Sequence, residues 1–347
     1  MTGLRVATTP APGAAPRRPA DPRRRSRLAV AGLAVAALLL ALVALGLGDY
    51  PLSVPEVVRA FGGDQGFAST IVTQWRLPRV LVALVFGAAL AVSGALFQSL
   101  TRNPLGSPDV IGFATGSYTG VLVVTTVLGA GTLGVSAGAL VAGLLTALVV
   151  YLLAYRDGVQ GFRLIVVGIG VTGMLHGLNV WLLLRADTEV ALAASIWGAG
   201  SISLVGWTQA LPAFVVLAVL TPLVWAVRGP LRQLELGDDA AGSHGLRVER
   251  ARLAVVVLGV ALIATVTATA GPIAFVALAA PQIARRLAGS AGLPLVASAL
   301  TGALLLLAAD VLAQHVLPTA LPVGVVTVVL GGAYLLALIV QEARRRW

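Results

Sequence analysis

The fold class predicted is an all-α polytopic membrane protein of ten transmembrane helices, and three observations predict it. Hydrophobic residues make up 58% of the 347 and charged residues only 11%, where a soluble domain carries about a quarter charged residues. Apolar runs of about 20 residues recur along the chain, enough to cross a hydrocarbon core of about 30 Å. The runs do not alternate in steps of two, which sets aside a β-barrel. The mean hydropathy of +0.95 agrees.

Residues 1–27 are rich in Pro, Ala and Arg without an apolar period and read as a disordered basic tail. The run 28–47 is too long for a signal-peptide core and has no convincing cleavage site, so it reads as a retained first span. Further spans fall near 78–100, 111–130, 134–154, 163–184, 209–227, 252–270, 273–288, 293–313 and 322–341. The eighth is short, and Gly271-Pro272 before it predicts a kink or a tight turn. The spans make one domain over 28–341, followed by a short tail at 342–347. Between the sixth and seventh spans lies a long polar loop, residues 228–252, reading RGPLRQLELGDDAAGSHGLRVERAR. In so apolar a chain it is a candidate docking surface for a soluble partner.

The net charge of +10 comes with no lysine, so all 24 basic residues are arginine. Ten spans put both termini on one side. Twenty of the arginines, including Arg102, Arg156, Arg163, Arg228, Arg232, Arg285, Arg286 and Arg344–Arg346, then share that side, against Arg59, Arg76, Arg79 and Arg185 on the other. The positive-inside bias makes the first side cytoplasmic. This placement accounts for the charge without nucleic acid as a partner. Trp75, Trp197 and Trp207 near outer boundaries, and Trp225 and Trp347 near inner ones, fit an aromatic belt.

Several chemistries are disfavoured. Without cysteine there are no disulfides or thiolate metal sites. A P-loop needs a lysine, so this chain is not expected to bind and hydrolyse ATP in that manner. A nucleophile elbow needs a strand-to-helix turn, and the G-x-S-x-G string at 134–138 falls inside an apolar run, so no nucleophile setting is expected. His176, His244 and His315 lack metal-ligand spacing, so no metal site is expected. Gly112, Gly116 and Gly120, and again Gly173 and Gly177, recur every fourth residue, as in closely packed membrane helices. Asp310 is the only acid deep in a span, where a carboxylate is costly. It reads as structural or capping, or as a proton relay. Arg76 and Arg79 flank the start of the second span, either as interfacial snorkelling arginines or as an outward cationic pair gripping an acidic partner.

Several ordered segments carry a resemblance. RLPRVLVALVFGAALAVSGALFQSLTRNPLGSPDVIGFATGS at 76–117 resembles the second-span signature of the cobalamin and iron-chelate permease family. These are the membrane subunits of binding-protein-dependent ABC importers. Trp197, Gly198, Ser201 and Trp207 resemble its outer W-x-x-G-S element. LELGDDAAGSHGLRVER resembles its cytoplasmic loop. AGPIAFVALAAPQIARRLAG (270–289) and LPVGVVTVVLGG (321–332) resemble its last conserved blocks. The likeness covers roughly 28–341.

The resemblance implies a permease subunit of an ATP-driven importer, not an enzyme, with spans 2–5 and 7–10 related by an inverted repeat. It implies a dimer with the translocation path on its axis, and no cofactor on this chain. ATP and Mg belong to a partner ABC ATPase dimer. Leu236, Gly237, Asp238, Asp239, Ala240, Ala241, Ser243 and Gly245 would couple to that ATPase. Arg76 and Arg79 would dock an extracytoplasmic substrate-binding protein. Ala91, Ser93, Gln98 and Thr115 are expected to line or border the path. The family often has Pro-His-Ile where Pro281-Gln282-Ile283 stands, an arginine at Gln314, and Glu at Ala320. The missing arginine suggests a second permease subunit that supplies it, a heterodimer of paralogues in preference to a homodimer. The Gly331-Gly332-Ala333-Tyr334 ending resembles the ferric-enterobactin type and favours a ferric siderophore over cobalamin or haem. The rival readings are a proton- or sodium-coupled secondary transporter using Asp310, and a membrane scaffold.

Overall fold

The computed structural model describes residues 22–62, 66–128, 132–155, 161–290 and 292–345, and these are predominantly helical. Most of the expected basic tail lies outside the described residues, as do Arg156, Arg346 and Trp347. Its last part does not: α1 (Pro22–Gly46) begins at Pro22, not at residue 28, with a proline in the first turn where its missing N–H leaves no bond unmade. The short α2 (Val54–Ala60) and α3 (Phe67–Thr70) follow. The Glu56 carboxylate starts α2 by accepting from the Ser53 amide at 2.8 Å and hydroxyl at 2.6 Å. A wide π turn over Ile71–Arg76 joins α3 to α4 (Leu77–Thr101).

The remaining elements track the expected spans with shifted edges. A 3-10 turn at Pro108–Ile111 and left-handed Gly112 precede α5 (Phe113–Val123), which opens into a π turn over Val124–Leu128. Then come α6 (Thr132–Ala154), α7 (Gly161–Arg185), α8 (Thr188–Gly198) and α9 (Trp207–Ala226). The polar loop folds as α10 (Arg228–Glu235) and α11 (Asp238–Ser243), and α12 (Val248–Ala270) begins four residues before the expected loop end. The chain finishes with α13 (Val276–Ala288), α14 (Leu295–Val311), a π turn at Leu312–Val316, and α15 (Val323–Arg345). The last helix therefore continues through the expected terminal tail as far as Arg345.

Among the described residues, seven stretches, built on α1, α4, α6, α7, α9, α12 and α14, are long and apolar enough to cross a membrane. The apolar parts of α5 and α15 are shorter, and α13 has 13 residues. Thirteen residues rise about 20 Å, two thirds of a hydrocarbon core. The Gly271-Pro272 break is an irregular link: Gly271 and Phe275 both have positive φ, at 72° and 69°. Phe275 is an uncommon left-handed non-glycine, and Gly331 gives it room, since a Cβ there would stand 2.3 Å from Phe275 side-chain carbons.

α4 forms the centre, packed on α12, α13 and α14. No side-chain layer separates some of these helices. A Cβ on Gly94 would lie 1.6 Å from the Ala277 carbonyl oxygen, and one on Gly87 would lie 2.3 Å from that of Gly302. The packing repeats. α5 packs on α6 as α13 does on α14, and α12 packs on α5 and α6 as α4 does on α13 and α14. This reciprocity matches the expected halves, α4–α7 and α12–α15. The flanks leave Leu144, Leu148, Ile169, Val215 and Val219 exposed, a surface suited to lipid tails.

Candidate functional sites at the two ends of the bundle

At the arginine-rich end, α10 turns Leu231 and Leu234 inward and keeps Arg228 and Arg232 toward solvent. The Arg228 guanidinium lies over the Trp225 ring at 4.3 Å. The last residue of α10, Glu235, accepts from the Ser99 hydroxyl at 2.5 Å. Gly237 then reverses the chain at φ 114°, a conformation glycine adopts without strain.

Asp238, which opens α11, accepts from Arg102 at the end of α4 and from Arg252 in α12, the latter at 2.8 Å. Arg252 is 8% exposed and also bonds Glu249 at 3.0 Å. Arg102, left-handed at φ 49°, donates a further bond to the Leu234 carbonyl at 3.2 Å. The elbow is thus pinned to α4 by two side chains and to α12 by one. Ala241 is buried beneath it, Gly237 and Ala240 are half-buried, and Leu236, Asp239, Ser243 and Gly245 face outward. Next to this end, burial pushes the Asp109 carboxyl up to about 6, while its bond with the Ser107 hydroxyl pulls the other way.

At the opposite end, neither docking arginine stands free. Arg76 donates to the carbonyls of Leu45 at 2.9 Å and Tyr50 at 2.7 Å. Arg79 forms a two-pronged pair with Asp310, Nε to Oδ2 at 2.9 Å and Nη2 to Oδ1 at 2.8 Å. The acid side chain is only 8% exposed. Ser203, at 3.5 Å from Arg79, also accepts from Gln314 at 3.1 Å, which bonds the Leu321 carbonyl at 3.0 Å. Trp197 stacks on Tyr118, the Ser201 amide donates to the Ala270 carbonyl, and the Trp207 indole donates to the Thr73 carbonyl. The residues of the W-x-x-G-S element therefore lace this end together.

Sequence reasoning singled out Arg79 and Asp310 separately and missed that they are partners. They stand 231 residues apart, and no local pattern joins them. The available signal was electrostatic: an acid inside a span demands a cation, and Arg79 is expected at the same membrane boundary.

Three of the four expected path residues sit between helices. Ala91 and Ser93 are fully buried and Gln98 nearly so, inside the subunit's own core. Ala91 abuts Gly302, and the Ser93 hydroxyl bonds the Gly259 carbonyl at 2.6 Å. Gln98 donates to the Leu278 carbonyl at 2.9 Å and accepts from Gln282 at 2.6 Å. These three hold α4 to α12, α13 and α14, and Gln98 also borders a hollow of about 190 Å³ at the arginine-rich end. Thr115 is half-buried beside α7, its carbonyl accepting from Asn179 at 3.4 Å. Of the glycine stripes, Gly116 and Gly120 meet α6 closely, whereas Gly173 and Gly177 open onto empty space.

The class defined by this arrangement is a polytopic membrane permease, a helical bundle with lipid-facing flanks whose polar groups fasten helices at both ends. The chain belongs to the FecCD transport family, whose profile matches residues 34–341. It is 51% identical to the ferric enterobactin transport system permease protein FepG of Escherichia coli (strain K12), over 86% of this chain and 91% of that protein. It is 36% identical to the achromobactin transport system permease protein CbrC of Dickeya dadantii (strain 3937), over 91% of each. A solved structure described as an inward-facing conformation of a metal-chelate type ABC transporter superposes with a TM-score of 0.81. That match has 27% identity and covers 91% of this chain and 99% of the other. The chain is a transport subunit with the all-helical fold of ABC importer permeases.

Proposed function

We propose that this chain is the membrane-spanning subunit of an ATP-driven importer that carries a ferric siderophore across the cytoplasmic membrane. Ten spans place both termini in the cytoplasm. ATP and Mg are bound by an ABC ATPase dimer. A second permease subunit, a paralogue or a second copy, completes the path, and the open glycine face of α7 at Gly173 and Gly177 suits close packing against it. Of the expected path residues, Thr115 is half-buried and Gln98 borders a hollow. The likeness to FepG, a ferric enterobactin permease by name, supports a siderophore cargo over cobalamin or haem.

The observation that carries the mechanism is the pinned elbow. Force applied to Leu236–Gly245 enters α4 through Asp238–Arg102 and Glu235–Ser99, and α12 through Asp238–Arg252. The exposed Leu236 and Asp239 supply an apolar and an acidic contact for the ATPase. At the far end, an extracytoplasmic binding protein docks on Arg76, whose partners are neutral carbonyls. Arg79 is balanced by Asp310 and shapes the rim beside it. The same bidentate pair weighs against a proton-coupled rival, because both Asp310 oxygens already carry charged hydrogen bonds.

The test is uptake of radio-iron enterobactin into vesicles holding the complete assembly, with residues 236–245 scrambled. ATP hydrolysis is expected to continue while import falls more than tenfold. Import at the normal rate would refute the coupling role. Import that persists in an Asp310→Asn variant and stops without ATP would exclude the proton-driven rival.

A further inference from the structure

We propose a binding site for an anionic phospholipid between the start of α1 and the end of α13. A groove of about 620 Å³ runs along α1, walled by Leu28, Gly32, Leu33 and Leu287 and mouthed by Arg24 and Arg25. A second hollow of about 420 Å³ adjoins it, lined by Arg25, Arg285, Arg286 and Ser290 among others. Arg25 is the wall they share, and among the described residues no acidic side chain lines either hollow.

Arg25 is held in place, not dangling. Its Nε donates to the Leu287 carbonyl at 3.2 Å and its Nη2 to the Arg286 carbonyl at 2.9 Å, the open carbonyl end of α13. The cationic basin therefore exists before any ligand arrives. The groove beside it faces outward, with Leu28 63% and Leu287 46% exposed, and the site where a Gly32 Cβ would stand is empty to 4 Å. It has the form of an acyl-chain cradle leading to an arginine-lined headgroup seat, the chemistry by which basic pockets between membrane helices take anionic lipids. A free phosphate would have no use for the apolar wall. The chain's own residues 1–21 carry Arg5, Arg17 and Arg18 and no acid before Asp21, so like charge disfavours that segment as the occupant.

The test is native mass spectrometry of the full chain with its partner subunits in detergent, titrated with phosphatidylglycerol, phosphatidylcholine or inorganic phosphate. Phosphatidylglycerol is expected to bind about fivefold or more tightly than phosphatidylcholine, and Arg24→Gln to weaken it about fivefold. Gly32→Phe fills the groove without altering charge and is expected to abolish retention of phosphatidylglycerol while the complex keeps its ATPase activity. Arg25→Gln is avoided because it also frees the α13 carbonyls. Equal binding of the two lipids, indifference to Gly32→Phe, or displacement of lipid by phosphate would overturn the proposal. So would a tenfold gain in lipid binding on removal of residues 2–21, which would make that segment the occupant.

Discussion

Asp238 and Asp310 each tie α4 to a later helix through arginine, but in opposite surroundings. Asp310 is 8% exposed and grips one arginine with both oxygens. Asp238 is 48% exposed and divides its oxygens between two arginines on two helices. Coulomb attraction scales inversely with the local dielectric, so at equal distance a pair with an effective value near 20 attracts about four times as strongly as one in water. The buried pair is a fastener, costly to break because either charge alone would be stranded. The exposed one is a joint, able to shift while keeping partners. The ends of one helix thus differ in compliance more than in composition.

The sharpest way to break that comparison is Asp310→Ala. It strands Arg79 and is expected to lower stability by about 3–5 kcal/mol in a detergent unfolding equilibrium. An Arg79→Met, Asp310→Leu double variant should recover most of it, and a loss below about 1 kcal/mol for the single change would remove the fastener. Asp238→Ala comes next, with about 1–3 kcal/mol of stability lost because Arg252 keeps Glu249. Its larger signature is functional: reconstituted vesicles should hydrolyse ATP yet import poorly.

Asp109 sharpens the comparison as an acid whose recorded side-chain partner is a hydroxyl. Its carboxyl is raised from 3.8 to about 6 by burial. The folded state therefore favours the neutral form, and the associated stability is complete below about pH 3.8 and lost as pH rises through about 6. Asp109→Asn should stabilise the protein by about 1–2 kcal/mol at pH 8 and by nothing measurable near pH 4. A pH-independent difference would contradict burial as the cause. The smallest effect belongs to Ser99→Ala, about 1 kcal/mol from one bond to a carboxylate, with import slowed only modestly if Asp238 dominates the joint.

Much of the fold was legible because the apolar runs are long. Each expected span contains a helix, and even the short eighth was flagged by Gly271-Pro272. The edges were not legible where tertiary packing overrides composition. Pro22–Arg27 reads as tail by its charge but is helical at the membrane boundary, and Phe275 takes a left-handed shape because Gly331 makes room for it. The loop at 236–245 announced itself by polarity in an apolar chain, yet two of its pins, Ser99 and Arg102, lie at the end of α4, 136 residues before their partners, and the third, Arg252, lies in α12. Small and polar side chains serve a pore and a tight helix interface equally well, so residue type alone does not separate the two roles for the expected path residues. Ser93 and Gln98 bond carbonyls of α12 and α13.

The carbonyl-to-glycine approaches at Gly87 and Gly94 have a mechanical consequence. With no compressible side chains between them, α4, α13 and α14 have no room to slip past one another. The 25 residues of α4 then act as a pushrod about 37 Å long, delivering a displacement at Arg102 to Arg79 with little lost on the way.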